Sequence, residues 1–335
     1  MPISSHSVPS PIPSRIGTRG LPTLSRDLTA ADSPAIHIGL VNNMPSAALR
    51  ATERQFRSLL SAASEGMQVQ LSLYALPDVP RTDDDRHHMA RRYANVDDLW
   101  NSRLDGLIVT GAEPLASKLT DEPYWGSLTK LMDWAEQNTH SAVWSCLAAH
   151  AALLYLDGIG RRPLGQKLSG VFDCEKVTED LLTESVPSTL SIPHSRWNDI
   201  PEDELTKAGY RILTRSERTG ADTFVKQSKS LFVFFQGHPE YDADSLPLEY
   251  RRDIRRFLRQ ERDDYPAMPQ GCFDEETVAL LNGLKERALA DRREEVLADF
   301  PVARVIANAR NTWRPTAVGF YRNWLHCLAL RRKTA

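Results

Sequence analysis

The chain has 335 residues, of which 41% are hydrophobic and 25% charged, enough for a sizeable core in one large or two smaller domains. A net charge of -3 and a pI of about 6.3 leave no electrostatic footprint for nucleic acid, and no apolar run approaches the ~20 residues of a membrane helix. Four scattered cysteines (Cys146, Cys174, Cys272, Cys327) form neither a disulfide framework nor a CxxC zinc pair. Together with an N-terminus that lacks the apolar core of a secretory signal, this predicts a reducing, cytoplasmic compartment.

Residues 1–34 are rich in Ser and Pro without hydrophobic period, and read as a disordered tail. Order is expected from Ile36 to Val41, a short buried strand closed by the turn Asn42-Asn43-Met44-Pro45. Ser46 to about Ser61 has helical period, with Leu49, Phe56, Leu59 and Leu60 on one face. Val69, Leu71, Leu73 and Ala75 alternate with polar residues, as in a strand near a sheet edge. The charged run from Pro77 to Asn95 carries His87-His88, which reads as an exposed loop or helix start rather than a metal site.

Leu104 to Thr110 is another buried strand, ending in Gly111-Ala112-Glu113-Pro114, and a helix is expected from about Pro123 to Gln137. The run from Ser141 to Tyr155 begins with strand character and ends with helix character, and the period changes at Cys146. A cysteine at such a turn sits beside unpaired N–H groups and the positive end of the helix dipole, which favour thiolate, the nucleophilic form. Far downstream, the apolar strand Ser230 to Gln236 ends in Gly237-His238-Pro239-Glu240. There His238 can take the thiol proton while Glu240 orients and charge-stabilises the ring.

Between Gly158 and Gln227, short strands (Arg211 to Ser216, Thr223 to Gln227) read as an antiparallel extension of the same domain. Charged helices follow from Ser245 to about Arg262 and from Glu275 to Ala298, separated by a Pro-Gly hinge at 266–271. A last helix, Pro315 to Leu330, offers Phe320, Trp324, Leu325 and Leu328 for docking on the body or on a second subunit. Strands alternating with helices predict an α/β fold with a mostly parallel sheet flanked by helices. The ligand crevice of such a fold lies outside the carboxyl ends of the strands, where Gly111, Cys146 and His238 all fall. The expected organisation is a 1–34 tail, a catalytic α/β domain over 35–265, and a C-terminal helical extension over 266–335.

Ordered motifs then link the chain to a known family. They include Asn43-Met44-Pro45, Thr52 to Phe56, Asp105 to Ala112, Tyr124-Trp125, Cys146 and Lys167 to Val171. Pro193 to Arg196, Gly237 to Asp242, Glu249-Tyr250, Arg252-Asp253 and Asn323 to Leu325 complete the set. On these residues the chain resembles the homoserine O-acyltransferases of methionine biosynthesis, which share the class I glutamine amidotransferase fold. The resemblance implies that Cys146 takes the acyl group of an acyl-CoA as a thioester, with His238 as general base and Glu240 behind it. It also implies that Lys167 and Ser195 line the substrate site and that Arg252 binds the carboxylate of the acceptor, L-homoserine. Backbone amides near Cys146, including that of Leu147, and at Gly111 are natural oxyanion donors. No metal and no cofactor beyond the acyl-CoA co-substrate are implied, and a homodimer is.

The departures are specific. Leu147 stands where the family usually has an aromatic residue, and His150 where it has a glutamine. A loop position that helps select the acyl group, small in succinyl users and acidic in acetyl users, aligns with Leu115. This leans towards succinyl and leaves acetyl open. The longer Met44 to Thr52 stretch, the tail and the Glu275 to Ala298 helix fit a subgroup with another hydroxy amino acid as acceptor. A glutaminase on the same triad is disfavoured, because the nucleophile turn lacks the Gly-x-Cys-x-Gly-x-Gln pattern. A non-catalytic binding protein is disfavoured by the joint presence of Cys146, His238 and Glu240.

Overall fold

The computed structural model describes residues 35–334, so the Ser/Pro-rich segment lies outside the described residues. The first half alternates β1 (Ile36–Val41), α1 (Ser46–Ala63), β2 (Val69–Tyr74), α2 (Asp83–Arg92), α3 (Val96–Trp100) and β3 (Leu104–Val109). It continues through α4 (Trp125–Asn138), β4 (Thr139–Ser145) and α5 (Leu147–Asp157). Next come β5 (Arg162–Lys176), β6 (Thr189–Asp199), α6 (Glu202–Lys207), β7 (Arg211–Ser216), β8 (Gly220–Gln227) and β9 (Leu231–Phe235). The chain closes with α7 (Ser245–Leu258), α8 (Glu275–Ala290), α9 (Val302–Asn308) and α10 (Arg314–Thr334).

The nine strands of the described residues share one sheet in the order β2-β1-β3-β4-β9-β8-β7-β5-β6. The half from β2 to β9 is parallel, and every pairing from β9 to β6 is antiparallel. The central strands β3, β4 and β9 are buried along nearly their whole length, β9 being apolar throughout, because helices cover both of their faces. On one face lie α4 and α5, which bury Leu131, Met132, Ala149 and Leu153 against Val109, Trp144 and Phe234. On the other lie α1 and α10, which bury Phe56, Leu59, Phe320 and Trp324 against Ile38, Val143 and Phe235.

Trp324 shows why a glycine sits in β3. A Cβ at Gly106 would lie 2.7 Å from Trp324 Cη2, so the bare backbone lets the indole reach the sheet. Its Nε1 then donates to Ser141 Oγ at 2.9 Å, satisfying both buried polar atoms. Thus α10 is part of the main core, whereas α8 and α9 form a separate apolar cluster with α7.

Three features differ from the expectation. The expected helix over 275–298 stops at Ala290, and a 3-10 turn over Glu294–Asp299 follows. There Arg292 donates to Phe257 O at 2.6 Å and lays its guanidinium 4.1 Å from the Phe257 ring, which draws the chain off the helix axis. Likewise α7 ends at Leu258 rather than near Arg262. The long pair β5 and β6 had no counterpart in the sequence reading, because β5 is half exposed and carries polar residues on both faces.

Candidate active site

Cys146 occupies the single residue between β4 and α5, with φ 51° and ψ -113°. A non-glycine residue rarely adopts positive φ, and such strain gathers at sites where geometry is imposed by the surroundings. Here the Cys146 N–H donates to Phe235 O at 2.7 Å, which ties the end of β4 to the end of β9. Leu147, the first helical residue, has an amide with no acceptor inside its own helix. The turn after β3 packs directly on it: a Cβ at Gly111 would lie 2.7 Å from Leu147 Cβ and 3.1 Å from its nitrogen. Gly111 and Leu147 therefore stand together beside the nucleophile turn.

Beyond β9 the chain turns at Gly237, whose N–H donates to Asp222 Oδ1 at 3.0 Å, and His238 N–H donates to Pro193 O at 2.8 Å. Buried His238 presents Nδ1 to buried Glu240 Oε1 at 2.9 Å, which leaves Nε2 for the Cys146 thiol, its other side-chain partner. Burial opposes a charge on His238, but the facing Cys146 and Glu240 outweigh it and hold the imidazolium form well above the usual histidine range. Tyr241 stacks on the His238 ring at 4.2 Å and 15° between planes, so the imidazole is fixed in its plane as well as at Nδ1.

Of the three substrate-site residues expected from the resemblance, Lys167 and Ser195 meet on the Glu249 carboxylate, and Arg252 acts on it electrostatically from the same helix. Lys167 Nζ lies 3.3 Å from Glu249 Oε2 and 2.8 Å from Asp253 Oδ2, while Ser195 Oγ donates to Glu249 Oε2. The other oxygen of Glu249 accepts from Tyr241 OH at 2.6 Å. Burial raises the pKa of Glu249, yet Lys167, Arg252, Ser195 and Tyr241 together hold it down at about 2. Arg252 is partly exposed, its nearest carboxylate is Asp253 at 3.9 Å, and its buried Nε has no hydrogen-bond partner. Sequence reasoning quoted Tyr241, Glu249 and Asp253 without giving them a role. The i,i+4 spacing of the two acids on α7 was the available sign that they share a face.

Leu115 lies on the loop after Gly111, with its side chain 63% exposed. Its N–H and that of Ala116 both donate to Glu122 Oε1 at 2.9 Å, and Glu113 pairs with Arg256 of α7 at 2.6 Å. His150 is buried, its Nε2 lies 3.1 Å from Gln236 Oε1, and burial presses its pKa to about 3, so the ring is neutral. His87 and His88 lie on α2, where His88 Nε2 meets Glu53 at 2.7 Å. Among the described residues no group of His, Cys, Asp and Glu could hold a metal ion. All four cysteines are free thiols. Among the described residues no helix is long and apolar enough to cross a membrane.

Cys146 on a strained strand–helix turn, His238 and buried Glu240 gather at one edge of the α/β sheet, an arrangement chemically suited to nucleophilic catalysis. The family model for homoserine O-succinyltransferase matches residues 24–334. A homoserine O-succinyltransferase of Rhodopseudomonas palustris is 50% identical, covering 91% of each chain. One of Bradyrhizobium japonicum is 46% identical over 94% of this chain and 97% of its own. The chain belongs to the homoserine O-succinyltransferase family. Among solved structures, a glutamine amidotransferase of Thermotoga maritima aligns over 89% of this chain and 99% of its own, at 12% identity and TM-score 0.49.

Proposed function

We propose that the protein transfers a succinyl group from succinyl-CoA to the hydroxyl of L-homoserine, in methionine biosynthesis, through a thioester on Cys146. The observation that carries this reading is the alignment of Cys146, His238 and Glu240, with Glu240 Oε1 2.9 Å from His238 Nδ1. In the first half-reaction Cys146 Sγ attacks the thioester carbonyl, the oxyanion is received by the amides at Gly111 and Leu147, and CoA leaves with the proton held on His238. The new bond is again a thioester, so the step is close to isoenergetic and needs no cofactor. In the second half-reaction His238 Nε2 takes the proton of the homoserine hydroxyl, whose oxygen attacks the acyl carbon and releases Cys146.

The acceptor is a zwitterion, and the Glu249 cluster supplies both signs beside the triad. Arg252 offers a planar fork for the α-carboxylate, and its buried Nε awaits a partner. Glu249 and Asp253, now shared with Lys167, are acceptors for the α-ammonium. Family membership favours succinyl over acetyl as the acyl group.

Initial rates test the reading. Varying succinyl-CoA at several fixed homoserine concentrations is expected to give parallel double-reciprocal lines, with acetyl-CoA turned over far more slowly. Intersecting lines would overturn the two-step route, and faster turnover of acetyl-CoA would overturn the donor.

A further inference from the structure

Within electrostatic reach of one another, and in the case of Arg161 of Cys146, two charged groups carry buried atoms that the chain leaves unsatisfied. Glu122 Oε2 and Arg161 Nη1 are both buried without a hydrogen-bond partner. Buried polar atoms are nearly always paired, so two orphans in one neighbourhood mark a place completed by something else. Arg161, Glu122 and Tyr124 act on one another electrostatically, and Arg161 also acts on Cys146 and His150.

The placement of Arg161 follows from how α5 ends. Gly158, at φ 67°, closes the helix in the left-handed conformation, its N–H donating to Leu153 O and Leu154 O. The chain leaves the helix there and enters β5 at Arg162, with Arg161 at the junction. Glu122, which acts on Arg161 electrostatically, is committed elsewhere: Oε1 accepts the N–H groups of Leu115 and Ala116, which fastens the loop after Gly111. Among the described residues no carboxylate closes an ion pair with Arg161.

We propose that Arg161 receives the free carboxylate of the succinyl group while the other end of the acyl chain is bonded to Cys146, making it the residue that selects the donor. This rests on the succinyl transfer proposed above. A guanidinium binds a carboxylate through two parallel N–H donors, a geometry an acetyl group cannot use. With acetyl-CoA the partly buried cation stays unpaired, and an unpaired charge in a closed site is costly. The Glu122 carboxylate opposes a second anion, and Arg161 offsets that repulsion. His150 is neutral and adds no charge. Selection would then lie in a cation opposite the loop that carries Leu115, rather than in the exposed Leu115 side chain itself.

The test is the ratio of kcat/KM for succinyl-CoA to that for acetyl-CoA, with homoserine as acceptor, measured on one preparation each of wild type, Arg161→Gln and Arg161→Lys. The ratio is independent of the fraction of protein folded, so partial misfolding does not mask it. Arg161→Gln is expected to lower the ratio about 10- to 100-fold, the scale of a charge-assisted pair, and Arg161→Lys to restore part of it. Equal loss with both donors would show a merely structural role and overturn the inference, leaving the functional reading intact. Absence of succinyl turnover in the wild type would overturn that reading and this inference together.

Discussion

The turn that carries the histidine has no room for a methyl group, which makes Gly237→Ala a sharp test of how the site is held. A Cβ at Gly237 would stand 2.4 Å from Ile192 Cγ2, 2.8 Å from Asp222 Oδ1 and 3.0 Å from Pro193 O. None of these can give way freely. Asp222 is fully buried and accepts from Thr214 Oγ1 at 3.1 Å and Thr223 Oγ1 at 2.8 Å, and Pro193 O is the acceptor of the His238 N–H. The turn itself must therefore move. Overpacking of this kind costs about 1–3 kcal/mol, and loss of the Gly237–Asp222 hydrogen bond adds about 1 kcal/mol. A displacement of His238 on the order of 1 Å lowers turnover about 100-fold. Urea unfolding and initial acyl-transfer rates measure both effects. Gly126 in α4 is the control: a Cβ there meets nothing within 4 Å, so Gly126→Ala is expected to keep activity and gain about 0.5–1 kcal/mol. A Gly237→Ala protein within about threefold of wild-type rate and 1 kcal/mol of its stability would refute the reasoning.

Glu240→Gln keeps the shape of the carboxylate but removes the charge that holds His238 at 2.9 Å, and kcat is expected to fall about 10²–10⁴-fold with little change in KM. Less than a tenfold loss in steady-state kinetics would place Glu240 outside the mechanism. For Glu249 the sign of the pH effect is fixed by a folded-state pKa of about 2 against an ordinary value of 4.5. A depressed acid contributes stability that is present above pH 4.5 and lost as pH falls through 2, on the order of 3 kcal/mol. Denaturant unfolding from pH 7 to pH 3 is expected to show a shallower acid limb for Glu249→Gln than for wild type. Parallel limbs would mean that the Lys167 and Tyr241 contacts do not hold the carboxylate ionised.

What the sequence showed and what it hid divide along physical lines. Strands buried on both faces read as mainly apolar runs, so Ile36 to Val41, Leu104 to Thr110 and Ser230 to Gln236 were legible without knowing their neighbours. The same holds for Cys146, because a change of period marks a strand–helix turn wherever it occurs. The β5–β6 pair was hidden because half-exposed strands carry no such run, and the end of α8 because Arg292 is drawn to Phe257, 35 residues earlier. Lys167, Ser195 and Arg252 came from resemblance, but the carboxylate that joins Lys167 to Ser195 is 82 residues from Lys167 in the chain. Arg161 was equally illegible: in the run Gly160-Arg161-Arg162 it is one charge of two, and only burial separates the orphaned guanidinium from its neighbour.

Intact-protein mass spectrometry after incubation with succinyl-CoA, without acceptor, bears most directly on the central role given to Cys146. A mass gain of one succinyl group in the wild type, absent in Cys146→Ala and discharged by added homoserine, is the expected result. No gain in the wild type, or an equal gain in Cys146→Ala, would contradict the thioester route.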